Sequence, residues 1–82
     1  MATEERLTNS ELKRMLSKAR AKVQLGALYQ HIHGGYYVVR SVSLRESDLE
    51  PLVSYAPLTS AMIEFSRPLT EFLDRFEQKK KG

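Results

Sequence analysis

The sequence predicts an α+β fold: a small antiparallel β-sheet or open SH3-like barrel of about four strands, with an amphipathic helix before it and a short helix after it. Three observations carry this. Thr8 and Glu11 form a capping-box pattern ahead of an apolar stripe; closely spaced strand signals surround Gly34-Gly35; and a second stripe of helical period follows Pro68. The chain divides accordingly into a capped helix over residues 1–25, a small β domain with its C-terminal helix over 26–78, and a basic tail over 79–82.

The first helix is predicted from Asn9 to Gln24, with Leu12, Met15, Leu16, Ala19 and Val23 on one face and Gly26 beyond its end. Leu7 and Leu12 stand where a hydrophobic staple packs across the capping box. Strands are predicted at Leu28–His33, Tyr36–Leu44, Leu52–Ala56 and Ala61–Phe65, separated by the Gly-Gly turn, the charged loop Arg45–Pro51 and Pro57-Leu58-Thr59-Ser60. Glu46, Ser47, Asp48 and Glu50 lack the ligand spacing of a calcium loop and read as solvated. Leu69, Phe72, Leu73 and Phe76 then follow the i, i+3, i+4, i+7 pattern of a short helix, opened by Pro68 in its first turn or by Thr70 as its cap.

With Gly34 and Gly35 as a two-residue turn, His33 is expected opposite Tyr36, His31 opposite Val38 and Tyr29 opposite Arg40, all on one ribbon face. Gln30, Ile32, Tyr37 and Val39 take the other. Either face can be core, and the sequence leaves both assignments open.

At 82 residues the core is small; domains of this size supply only about 3–5 kcal/mol without staples, so self-association is expected, with the helix stripe at Leu12 and Leu16 as the contact. Cysteine is absent, which removes disulfides, thiolate metal sites and thiol nucleophiles and suits the cytoplasm. No apolar run reaches membrane-span length and Met1–Arg6 is polar, so neither a membrane partner nor a secretory signal is expected. The net charge of +3 is unevenly placed: residues 1–25 carry +3, 26–65 carry −2 and 66–82 carry +2. Any phosphate footprint of nucleic-acid size therefore belongs to the helices and tail, and the acidic middle argues against a general nucleic-acid surface.

The run Gly26…Tyr29-Gln30-His31-Ile32-His33-Gly34…Tyr37-Val38-Val39, then Leu52-Val53-Ser54-Tyr55 and Phe65-Ser66-Arg67-Pro68-Leu69…Phe72, resembles domain-of-unknown-function family 1653 over about residues 26–73. The resemblance implies a compact, mostly β domain and no particular activity. His33 stands where that family usually has lysine, Phe65 where it has tryptophan, and Glu46-Ser47 reverses the family's Ser-Glu pair.

No catalytic signature is present, so no enzymatic activity is expected. His31 and His33 share a strand face but have no third ligand, so neither a metal nor another cofactor is expected. A nucleophile beside a histidine oriented by a carboxylate is likewise missing. Binding is the expected function, with Tyr29, His31, His33, Tyr36, Tyr37, Arg40 and Arg67 as the ligand-binding set. Tyr36 and Tyr37 would stack on a base and Arg40 and Arg67 would meet phosphate, which suits a nucleotide or a signalling nucleotide held by sequestration. The alternative is a nucleic-acid or protein adaptor working through the basic helix and tail.

Overall fold

The computed structural model describes residues 7–79; the expectations placed on Met1–Arg6 and on Lys80–Gly82 lie outside the described residues. Helix α1 (Asn9–Arg20) begins as the sequence predicts: the Thr8 backbone N–H donates to Glu11 Oε1 at 2.8 Å and the Glu11 backbone N–H donates to Thr8 Oγ1 at 3.1 Å. It ends earlier than Gln24, at the cap Ala21. Strands β1 (Leu28–His31), β2 (Tyr36–Leu44), β3 (Pro51–Pro57) and β4 (Phe65–Pro68) follow, then helix α2 (Leu69–Arg75) and strand β5 (Phe76–Gln78).

All neighbouring strands are antiparallel and form one open sheet in the order β4-β3-β2-β1-β5. The fold is α+β as expected, with one strand more than the sequence suggests and no barrel closure. The extra strand comes from the predicted helix. Leu69 and Phe72 are buried in α2, but the chain extends at Phe76 and pairs it with His31, giving the outer edge of β1 a partner. Leu73, expected on the apolar face, stays 41% exposed. Fourth-strand residues Ala61–Glu64 are turn and irregular backbone; pairing starts only at Phe65, opposite Tyr55.

The hairpin register differs from a two-residue Gly-Gly turn. Tyr29 lies opposite Tyr37, not Arg40, and Gln30 opposite Tyr36. The His31 N–H donates to the Gly35 carbonyl at 3.1 Å, and the Gly34 N–H donates back to the His31 carbonyl at 2.8 Å. The loop is therefore Ile32-His33-Gly34: a tight turn followed by a left-handed glycine at φ 100°. Gly35 also has positive φ, 86°, and a Cβ there would come within 3.3 Å of the Tyr37 ring. The longer loop moves Tyr37 and Val39 onto the same face as Tyr29 and His31. Both tyrosines can then be buried together, whereas the expected pairing sets Tyr29 beside charged Arg40.

That face is the core. Ala19 and Val23 from the α1 end, Leu69 and Phe72 from α2, and Tyr29, Val39, Val42, Val53, Tyr55 and Phe76 from the sheet form one buried cluster. Both helices thus cover one face. Between Val39 and Ser41 the β2 register shifts, a bulge that leaves Arg40 exposed and returns Val42 to the core. The opposite face is mixed: Gln30, Ser41, Ser43, Ser54, Ser66 and Glu77 share it with Leu28, Tyr36, Val38, Leu52 and Ala56. At the far end of the sheet, Asp48 is engaged by Arg45 through Nε–Oδ1 at 3.0 Å and Nη2–Oδ2 at 2.9 Å, and accepts from the Glu50 N–H at 3.1 Å. This pinned loop holds its carboxyl below the usual carboxylate range, the Arg45 hydrogen bond first among the causes.

Phe72 is fully buried between sheet and helix. Phe72→Ala is expected to cost about 3–5 kcal/mol, a buried aromatic truncation with its cavity, which is as much as such a core supplies, so the variant should lose its folded circular dichroism signal without denaturant.

Candidate functional site

At the end of the sheet that carries the β1–β2 turn, the last residue of α2 meets the turn: the Ile32 N–H donates to the Arg75 carbonyl at 2.9 Å. A cavity of about 380 Å³ opens there, lined by His31, His33, Gly34, Tyr37, Tyr55, Phe65, Arg67 and Phe76. Its floor is aromatic. The Phe76 ring meets Tyr37 edge-on at 5.4 Å, Tyr55 at 5.0 Å and His31 at 4.8 Å between centroids. Antiparallel pairing brings these together: His31 lies opposite Phe76, and Tyr55 opposite Phe65.

Arg67 reaches the cavity from β4. Its Nε–H donates to the Tyr55 hydroxyl at 3.0 Å, its guanidinium carbon stands 5.6 Å from the Phe76 ring centroid, and its Nη1 is 3.8 Å from Glu71 Oε1. Three contacts in different directions fix the guanidinium, so it is organised before any ligand arrives. Among the described residues its Nη groups have no hydrogen bond, which leaves donors for an anion.

His31 is held from the turn. The His33 backbone N–H donates to His31 Nδ1 at 3.0 Å, so in the neutral ring the proton sits on Nε2. Partial loss of water lowers its pKa from the ordinary 6.5, with further lowering from the charges of His33, Arg67 and Arg75. The His33 ring is 5.4 Å from the His31 ring and is exposed.

Of the residues the sequence singles out, His31, His33, Tyr37 and Arg67 share this cavity. Tyr29 does not: it is 3% exposed, its hydroxyl accepts from the Gln24 N–H at 3.1 Å and donates to Gln78 Oε1 at 3.4 Å, and it serves as a latch between the α1 end and β5. Tyr36 sits on the opposite face, at a second recess of about 270 Å³ bounded by Gly35, Tyr37, Pro57, Leu58 and Thr59. Arg40 stands on the bulge and lines neither. Tyr55, Phe65 and Phe76 join the site unannounced by the sequence pattern. Phe65 carried the one available signal, an aromatic two residues before Arg67 on the same strand face. Among the described residues no group of three metal-ligating side chains converges, and no helix is long and apolar enough to cross a membrane.

Fold and site define a small α+β domain with one helix-covered sheet face and a half-open aromatic cavity at its end. The chain belongs to the family described as Protein of unknown function (DUF1653), which it matches over residues 27–82. The match runs past residue 73 through β5 and leaves α1 outside. Comparison with curated proteins and with solved structures gives no match.

The lowered pKa has a definite sign for stability. The unfolded histidine binds protons more readily than folded His31, so its contribution is present above pH 6.5 and is lost as pH falls through the folded value. An NMR titration of the imidazole resonances is expected to give His31 a midpoint below 6.5; a midpoint at or above it contradicts the described cavity environment.

Proposed function

We propose that the protein is a non-enzymatic module that binds a small anionic ligand, a nucleotide or signalling nucleotide, in the His31–Arg67 cavity and acts by sequestering it in the cytoplasm. The observation that carries this reading is the cavity itself: a guanidinium held by Tyr55 and Phe76 faces the same space as two imidazoles and the Tyr37 and Phe65 rings. An aromatic wall offers a stacking surface for a base, and a fixed arginine offers paired donors to phosphate. The cavity suits one nucleotide and leaves no room for a folded nucleic acid, so the ligand is a small molecule. Tyr37 and Phe65 take the stacking role in this reading, and Arg67 takes the phosphate.

A second reading keeps the exposed bases of α1 in view. Lys13, Arg14, Lys18, Arg20 and Lys22 are all exposed, and a nucleic-acid or protein adaptor would use them. The same helix is the element proposed for self-association. Leu16 packs on the core of its own chain, whereas Leu12 and Met15 are half-buried outside that cluster, so they are the positions for a second copy.

Calorimetric titration against mono-, di- and cyclic nucleotides is expected to give a saturable binding heat. Arg67→Ala should weaken it by roughly 1.5–3 kcal/mol, the worth of a charge-assisted hydrogen bond, with the circular dichroism unchanged. Absence of heat at high protein concentration, together with DNA or RNA binding that weakens steeply with salt and disappears when the exposed Lys13, Arg14 and Lys18 are changed to glutamate, favours the adaptor. Leu12→Glu with Met15→Glu is expected to lower the sedimentation mass of any oligomer and leave the β signal intact.

A further inference from the structure

The charges around the cavity come from three places: His31 and His33 on the β1–β2 turn, Arg67 on β4, and Glu71, Asp74 and Arg75 on α2. The permanent charges are already matched. Arg67 Nη1 lies 3.8 Å from Glu71 Oε1, and Arg75 Nε lies 3.6 Å from Asp74 Oδ2. New positive charge for an incoming anion must therefore come from the imidazoles, the groups in the cavity whose charge can change near neutral pH.

Donor geometry is equally specific. Arg67 has its Nε–H committed to Tyr55, while its Nη groups make no hydrogen bond among the described residues and Nη1 lies 3.8 Å from Glu71 Oε1. His31, with Nδ1 occupied by the turn N–H, has Nε2–H as its donor, and His33 supplies a third group from the same turn. We propose that this cavity selects a terminal phosphomonoester, its three oxygens met by Arg67, His31 and His33, over phosphodiesters and carboxylates.

This rests on the reading of the cavity as an anion site and names the class of anion. A phosphomonoester has three terminal oxygens and a second ionisation near pH 6, so it carries up to two charges where a diester carries one. A phosphodiester or a carboxylate has only two such oxygens and leaves one of the three donors without a ligand oxygen. The extra charge of the monoester is balanced by a proton taken up at His31 Nδ1, which gives up the hydrogen bond it accepts from the His33 backbone N–H. Affinity then rises as pH falls toward 6, because the anion stabilises the protonated imidazole. The space not filled by phosphate lies between Tyr37 and Phe65 and receives the group that carries it.

The test compares AMP with 3′,5′-cyclic AMP, which share base and sugar and differ in the class of phosphate ester. Calorimetry of the full chain at pH 7 in two buffers of different ionisation heat is expected to show AMP binding at least about tenfold tighter, the cost of one unpaired donor, with net proton uptake. His33 is exposed, so His33→Ala should fold normally and shrink the AMP advantage several-fold; His31→Ala should do the same and also reduce proton uptake. Equal affinity, or tighter binding of the cyclic nucleotide, overturns the phosphomonoester assignment while the anion-binding reading stands. Binding of neither overturns both, and an AMP advantage undiminished in both histidine variants removes the imidazoles from the site.

Discussion

Phe72 and Phe76, stacked at 4.3 Å with their planes 11° apart, join the last helix to the last strand and the core to the site. Phe72 packs against Tyr29 and Tyr55 inside the core. Phe76 presents its other contacts to Tyr37, His31 and Arg67 at the edge of the cavity. The chain leaves the helix between them, and Phe76 has an extended backbone. That change of conformation creates β5, and β5 covers the edge of β1 on which His31 lies. The shape of the site therefore follows from core packing: the floor of the cavity is the outermost ring of the core.

The β1–β2 turn supplies the second constraint. Its left-handed Gly34 and the close approach of Tyr37 to Gly35 allow the longer loop, and that loop sets which side chains share a face. His33 stays in the turn, where its backbone N–H is available to His31 Nδ1. One local bond thus fixes the tautomer of a cavity histidine. Arg67 is fixed just as firmly by contacts from β3, β5 and α2. A site assembled this way has little side-chain entropy left to lose on binding, which is where small ligands gain affinity.

The division of the sheet into two unlike faces decides where such a site can form. The opposite face holds the recess of about 270 Å³ beside Tyr36, which lacks charged side chains. On the helix-covered face, α2 ends at Arg75, whose carbonyl accepts from the Ile32 N–H in the β1–β2 turn at 2.9 Å. The cavity opens beside this junction, lined by the Phe76, Tyr55, Tyr37 and Phe65 rings together with the polar His31, His33 and Arg67.

Local patterns in the sequence determined the capping box of α1, the positions of β2 and β3, the presence of a hairpin at the glycines, the family, and the α+β class. Each depends on neighbours within a few residues: a cap with its third residue, an alternation, a pair of glycines. His31, His33, Tyr37 and Arg67, singled out in the sequence for their chemistry, come to line one cavity. Tertiary structure alone decided the rest. Tyr29 turned inward and Arg40 outward because burying two tyrosines beside Phe72 and Phe76 outweighs the shorter turn, and the partner of Tyr29 changes from Arg40 to Tyr37, an odd change of register that exchanges the faces of β2. Phe76 reads as a fourth helical position in the sequence, yet it became a strand residue because an unpaired sheet edge and a stacking partner lay within reach. Both choices compare distant contacts, and a pattern read along the chain has no access to them.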